Sequence, residues 1–332
     1  MADRTRPRRL LVTGATGFVG AAVLRELTRR ADQGVELRLL ARRVPVDSAR
    51  VDGMAADGTS DRALREAWTA ADLTDPASLA GCCEGVDTVL HLASLIGGDP
   101  EQCRRTNVDG TEALLAEAGR AGVRRVIQLS TAAVYGDGPH RGCLEGELIP
   151  EPVSPTSRTR LAAEQAVLAR GGLVLRPNLI YGRGDRWVVP GVADLLRRVP
   201  AWPEGGRARV SMISVDGLAG ALVELALGRA EWTGGVLHAV HPEPVTVREL
   251  LAGVCRILGL AEPTEELSRD QLAERLVVAG GPVGDRRPAL LTSDRWYDGG
   301  ALWRLLGRSP GPGFADRLAG DARWYRSVLR AG

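Results

Sequence analysis

Residues 10–20 read L-L-V-T-G-A-T-G-F-V-G. Leu10–Thr13 is a short apolar run closed by glycine, and from Val19 to Arg30 apolar side chains recur at helical spacing. The stretch therefore reads as strand, tight turn and helix. Gly14 permits the turn. Gly17 lets the backbone approach a pyrophosphate, which then sits on the helix N-terminus. Gly20 allows the helix to pack closely on the strand. A glycine pattern alone is weak, but in this context it predicts a dinucleotide-binding unit.

The pattern continues outward. Val35–Leu40, Val86–Ala93, Val123–Ser130 and Leu173–Leu175 read as strands, and Thr106–Gly119 as a helix that Gly122 ends. Residues 155–170 read as another helix, with Pro155 at its start and Gly171-Gly172 at its end. Strands alternating with helices predict an α/β fold, a Rossmann-like doubly wound parallel sheet with helices on both faces. Beyond about residue 180 the pattern becomes mixed. Val215–Leu227 and Val245–Leu258 read as helices, preceded by the strand-like V-S-M-I-S (210–214) and V-L-H-A-V (236–240). Residues 187–203, 263–275 and 279–289 fit a smaller, looser domain.

The second strand ends Leu40-Ala41-Arg42-Arg43. An NAD enzyme places a carboxylate about twenty residues past the glycines, on the ribose hydroxyls. Here two guanidiniums stand instead, and a guanidinium pairs well with a 2′-phosphate. NADPH is the expected cofactor, against the plainer reading of two solvated arginines. Asp72-Leu73 follows the third strand, where Asp72 is either an adenine contact or an N-cap for the next helix. Leu92-Ala93 should flank the cofactor ribose, with Ser94 facing the reacting centre.

The chain has 332 residues, 44% hydrophobic and 25% charged, with a net charge of +2. That balance gives no bulk-electrostatic reason to expect nucleic acid or a membrane surface as partner. All 43 basic residues are arginine. Cys82, Cys83, Cys103, Cys143 and Cys255 are odd in number and lack a C-x-x-C, so free thiols are expected, with neither disulfides nor a metal site. No run approaches the roughly 18 apolar residues of a membrane helix. The basic start, M-A-D-R-T-R-P-R-R, precedes too short an apolar run for a signal peptide. The expected location is cytoplasmic.

Together, T-G-A-T-G-F-V-G (13–20), H-L-A-S (91–94), N-V-D-G-T (107–111), L-S-T-A-A-V-Y-G (129–136), S-P-T-S-R-T-R-L-A-A-E (154–164) and L-R-P-N-L-I-Y-G (175–182) resemble the extended short-chain dehydrogenases/reductases. The resemblance spans about residues 9–258. It implies an NADP-binding domain over residues 1–178, with elements returned from about 208–240. Residues 179–332 are then mainly a substrate-binding domain and lid. It also implies cofactor contacts from Gly14, Thr16, Gly17, Phe18, Val19, Arg42, Arg43, Asp72, Leu73, Leu92, Ala93, Arg160 and Pro177. Substrate contacts are implied from Ser94, Ile96, Tyr135, Trp187 and Trp202.

One departure matters. The family carries S-P-Y-x-x-x-K, with the tyrosine as proton donor and the lysine assisting it. Thr156 stands at the tyrosine position and Arg160 at the lysine position; Thr131 keeps the family's hydroxyl, with Ser94 beside it as a second supporting hydroxyl. A threonine hydroxyl is far less acidic than a phenol, whose pKa is about 10. Arginine cannot give up a proton, its pKa exceeding about 12.

The pattern resembles atypical ketoreductases of aromatic polyketide antibiotic pathways. An aromatic ketone beside a phenol could then protonate itself; Tyr135, Ser94 and Thr131 are the alternative protein donors, against a plainer structural reading of Tyr135 in the V-Y-G turn. Two other readings stay open: a nucleotide-sugar reductase or epimerase, and a non-catalytic NADP-sensing regulator. A homodimer and a monomer are both left open.

Overall fold

The computed structural model describes residues 8–30, 34–44, 65–228 and 230–329. The chain divides into two units, one made of residues 1–136, 150–176 and 218–237, the other of 137–149, 177–217 and 238–332. The segment 137–149, which the sequence reading gives to the cofactor domain, belongs to the second unit.

The first unit is built on a seven-stranded sheet: β1 (Arg8–Thr13), β2 (Val35–Ala41), β3 (Arg65–Ala70), β4 (Thr88–His91), β5 (Arg125–Leu129), β6 (Leu173–Arg176) and β7 (Gly235–His238). The spatial order is β7-β6-β5-β4-β1-β2-β3. β1 pairs in parallel with β2 on one side (Leu10 with Leu37) and with β4 on the other (Leu10 with Thr88). Leu10, Leu11 and Val12 are at most 1% exposed, as expected of a strand covered on both faces. The chain runs outward from β1 through β2 to β3 and returns beside β1 as β4. The strand order therefore reverses between β1 and β4. In open α/β sheets, ligands bind outside the carboxyl ends of the strands at that switch point.

The Phe18–Arg29 helix buries Val19, Ala22, Val23 and Leu27, an i, i+3, i+4 stripe that fixes its inner face. The Pro155–Leu168 helix begins with a capping box between Ser154 and Ser157 and has Pro155 in its first turn. Gly171, at φ 70°, turns the chain after it toward β6. The helical pattern read over 106–119 resolves into a π turn, Arg105–Asp109, that continues as the Gly110–Arg120 helix.

In the second unit a four-stranded sheet runs Val245–Thr246, Arg209–Val210, Arg295–Tyr297, His140–Cys143. The strand read over 210–214 is split. Ser211 N–H donates to Arg295 O, and the chain then leaves this sheet so that Met212–Ser214 pairs with Leu179–Tyr181. The core of this unit gathers Val189, Leu195, Trp202, Leu250, Leu251 and Tyr325. Among the described residues no helix is long and apolar enough to cross a membrane.

Candidate functional site

The turn after β1 is set by sterics. Gly14 has φ 71°, and a Cβ there would lie 2.6 Å from Ala93 N. A Cβ on Gly20 would lie 2.1 Å from Gly14 O, so only glycine lets the helix start this close to the turn. At Gly17 a Cβ would meet only Gly14 O, at 3.2 Å, and otherwise open space. The helix after it has no side-chain cap and no acidic residue in its first turn. Its leading N–H groups and the positive end of its dipole are thus left for an anion. This cradle fits a dinucleotide pyrophosphate, along the backbone of Thr16, Gly17, Phe18 and Val19.

Arg42 and Arg43 are exposed at the carboxyl end of β2. Asp72, just past β3, accepts from Thr74 N–H at 2.9 Å and from the Thr74 hydroxyl at 2.8 Å. Those bonds hold its carboxyl below the ordinary range, with the Arg42 charge assisting. The N-cap of the next helical turn is Asp75, which accepts from Ala77 N–H. The N-cap reading of Asp72 is therefore corrected; its side chain shapes an Asx turn. Leu73 packs under Gly110, where a Cβ would approach within 2.7 Å of the Leu73 Cβ.

A buried relay joins the phosphate turn to the neighbouring loop. The Thr111 hydroxyl donates to Asn107 O at 2.6 Å, so its oxygen is free to accept from His91 Nε2, 2.9 Å away. His91 Nδ1 then accepts from the Thr13 hydroxyl at 2.8 Å, and the Thr13 oxygen accepts from Ala93 N–H at 3.2 Å. This chain of donors fixes a neutral imidazole. Burial, aided by the charge of Arg160, pushes His91 down to about 4. The Asn107 carboxamide continues the frame. It accepts from Leu95 N–H at 2.7 Å and donates to Leu95 O and to the Thr159 hydroxyl, each at 3.0 Å.

Thr131, Thr156 and Arg160 each bond to a backbone group nearby. Thr131, half-buried, accepts from Ala133 N–H at 3.1 Å and caps the Ala132–Tyr135 turn. The Thr156 hydroxyl accepts from Gly97 N–H at 3.1 Å. Arg160 is 8% exposed and donates from Nη2 to Leu129 O at 2.7 Å. Burial pushes its guanidinium down to about 10, which still leaves it charged at neutral pH. A fixed positive charge thus stands at the end of β5. Ser94 and Ile96 lie on the loop after β4, Ser94 half-buried and Ile96 59% exposed. Leu92 and Ala93, both half-buried, open that loop.

Four further expected contacts are Tyr135, Trp202, Trp187 and Pro177. Tyr135 is 3% exposed; its hydroxyl accepts from Arg176 Nη1 at 2.9 Å and its ring lies under that guanidinium at 4.8 Å. Arg176 in turn pairs with Glu164, which is fully buried. Tyr135 is thereby tied into the buried framework. Trp202 is 3% exposed in the second core, with Arg248 stacked on it at 4.3 Å. Trp187 is 69% exposed, at the start of the Val188–Arg198 helix of the second unit. Pro177, buried, opens a segment of that unit.

Sequence reading missed His91, Thr111, Asn107 and the Glu164–Arg176 pair as a framework. Their signal was a histidine closing an apolar strand and an asparagine opening a helix, each with partners distant in sequence.

The chain belongs to the NAD dependent epimerase/dehydratase family, whose model matches residues 10–226. These are extended short-chain dehydrogenases/reductases, so the chain is an NAD(P)-dependent oxidoreductase, epimerase or dehydratase by class. It is 30% identical over 265 residues, 76% of this chain and 74% of the other, to the 4-hydroxy-2-methyl-3-oxo-4-farnesyl-3,4-dihydroquinoline-1-oxide ketoreductase of Stigmatella aurantiaca. It is 35% identical over 185 residues to Sterol demethylase protein B of Methylococcus capsulatus, and spans about half of that protein's length (52%). Among solved structures it is similar to DesIV, the dTDP-glucose 4,6-dehydratase from Streptomyces venezuelae with NAD and TYD bound. That likeness has a TM-score of 0.73 and 26% identity over 97% of this chain and 98% of that one.

Proposed function

We propose that this protein is an NADPH-dependent ketoreductase acting on an aromatic polyketide ketone of the angucyclinone type. The observation that carries this reading is the helix start at 154–160. The cofactor cradle is whole, yet the tyrosine position holds Thr156, whose hydroxyl already accepts from Gly97 N–H. In this, the chain resembles the angucyclinone ketoreductase of simocyclinone biosynthesis. Arg42 and Arg43 are the proposed 2′-phosphate ligands, in place of the carboxylate that an NAD enzyme puts there. Residues 1–136, 150–176 and 218–237 form the cofactor domain of this proposal, and the second unit forms the substrate domain and lid.

The cradle at Thr16, Gly17, Phe18 and Val19, with Arg42 and Arg43, would hold NADPH, which when bound would supply the hydride for the ketone carbon. The ketone oxygen takes its proton from a neighbouring phenol of the same molecule, and water later reprotonates the phenolate. General acid catalysis is typically worth ~10²–10⁴-fold, and an intramolecular donor offers a large effective molarity that replaces it. Thr131 and Ser94 are the hydroxyls proposed to orient the substrate. Arg160 supplies fixed positive charge beside the developing negative charge, in a setting dry enough for that charge to count.

The test is NADPH consumption, followed by its absorbance, against hydroxylated anthraquinone-like ketones and dTDP-linked 4-keto sugars. Oxidation with the aromatic ketones alone is expected. Oxidation with the sugars alone would favour the second reading, nucleotide-sugar chemistry, to which the likeness to the DesIV dehydratase lends support. Tight NADPH binding with no oxidation by either set would favour an NADP-sensing regulator.

A further inference from the structure

The loop after β4 is held at two peptide groups. Leu95 N–H and C=O are both bonded to the Asn107 carboxamide. Two residues on, Gly97 N–H donates to Thr156 Oγ1 at 3.1 Å, and Gly97 O accepts from Cys103 Sγ at 3.3 Å. Cys103 is fully buried. Gly97 and Gly98 have φ 75° and 91°, a conformation that glycine adopts freely. A Cβ on Gly97 would meet nothing within 4 Å, so backbone conformation, not crowding, calls for glycine. Ile96 lies between the two held peptides and is 59% exposed, a large apolar side chain kept in water by the grip on either side.

A tyrosine at position 156 would carry its hydroxyl past the Gly97 amide on a rigid ring. Threonine places an acceptor next to its own backbone. The exchange of residue type thus removes a proton donor and adds an anchor in one step.

We propose that Thr156 is a positioning residue for substrate recognition: by anchoring the Gly97 peptide it presents Ile96 as a fixed apolar contact for a flat aromatic ketone. The inference deepens the ketoreductase reading and rests on it for the substrate class. Pre-ordering a loop lowers the entropy lost on binding, so the benefit falls on affinity and not on the chemical step.

The experiment measures the dissociation constant of a hydroxyanthraquinone-type ketone on the full-length, NADP-loaded protein, by tryptophan fluorescence, and separately kcat and KM for its reduction. Thr156→Val, which keeps the shape and loses the acceptor, is expected to weaken ketone binding about five-fold, the worth of one hydrogen bond. Its kcat stays within about two-fold. Thr156→Ser is expected to restore binding. Ile96→Ala weakens binding too, and the Thr156→Val/Ile96→Ala double variant is expected to be less than multiplicative, because the two residues act as one unit. Amide exchange at Gly97 should quicken in Thr156→Val alone. Unchanged binding in Thr156→Val, no rescue by serine, fully multiplicative effects, or no ketone binding by the wild type would each overturn the proposal. Ketone binding without turnover would sink the ketoreductase reading and leave the anchor standing.

Discussion

The phosphate turn at 13–20 and the helix start at 154–160 belong to the same unit, and they have been treated differently. At the turn, every glycine the backbone needs is present: Gly14 at positive φ, Gly20 against Gly14 O. At the helix start, the capping box and Pro155 are present, and the positions proposed to have lost the chemistry hold Thr156 and Arg160. One buried frame, Thr13–His91–Thr111–Asn107–Thr159, ties the two regions together. On the proposed ketoreductase reading, local structure and proton donation are separable: the elements are kept by caps, glycines and buried hydrogen bonds while the reacting residue is lost.

The comparison breaks most severely at Glu164. If the helix start is held by its buried ion pair and not by residues 156 and 160, Glu164→Gln strands the Arg176 charge. It should then cost about 3–5 kcal/mol, read in a denaturant titration. A cost near zero would show that the helix is held some other way.

Next is the frame itself. His91 is buried neutral in the folded state at about 4, against an ordinary 6.5 when unfolded. The unfolded chain thus binds the extra proton first as pH falls, and stability is lost between about pH 6.5 and 4, by up to ~3 kcal/mol in total. His91→Asn should flatten that part of the stability–pH curve. An unchanged slope would mean that His91 is not the titrating group.

Gly20→Ala sharpens the other side of the comparison. Overpacking costs typically ~1–3 kcal/mol. Moving the helix off the turn should weaken NADPH binding by roughly a hundredfold, while Thr156→Val leaves it unchanged. Smaller still is the joint change of Arg42 and Arg43 to alanine. It should cost NADPH about ten-fold and NADH little, one tenfold step being 1.4 kcal/mol. Equal losses for the two nucleotides would remove the 2′-phosphate assignment.

Much of this was legible in the sequence wherever a local rule decides. The turn could be read because glycine is the residue type such backbone geometry admits. The 155–168 helix could be read because proline opens it and glycines close it. What was not legible depends on partners far along the chain. The sequence did not show that Arg176, on β6, would be the partner that holds Tyr135. Nor did it show that Arg248 and the second core would enclose Trp202. His91 gave no local hint that Thr13 and Thr111 would take both its ring nitrogens. The strand read over 210–214 breaks because Ser211 pairs with a strand more than eighty residues on.

The central claim, that the substrate and not the protein donates the proton, is tested most directly with one pair of ketones. Single-turnover hydride transfer from NADPH would be measured for a ketone beside a free phenol and for its O-methyl ether, in the wild type and in Tyr135→Phe. Abolished transfer to the ether, with the phenol-bearing ketone reduced at the same rate by both proteins, is the predicted result. Equal rates for the two ketones, or a chemical step that fails in Tyr135→Phe while the ketone still binds, would contradict it.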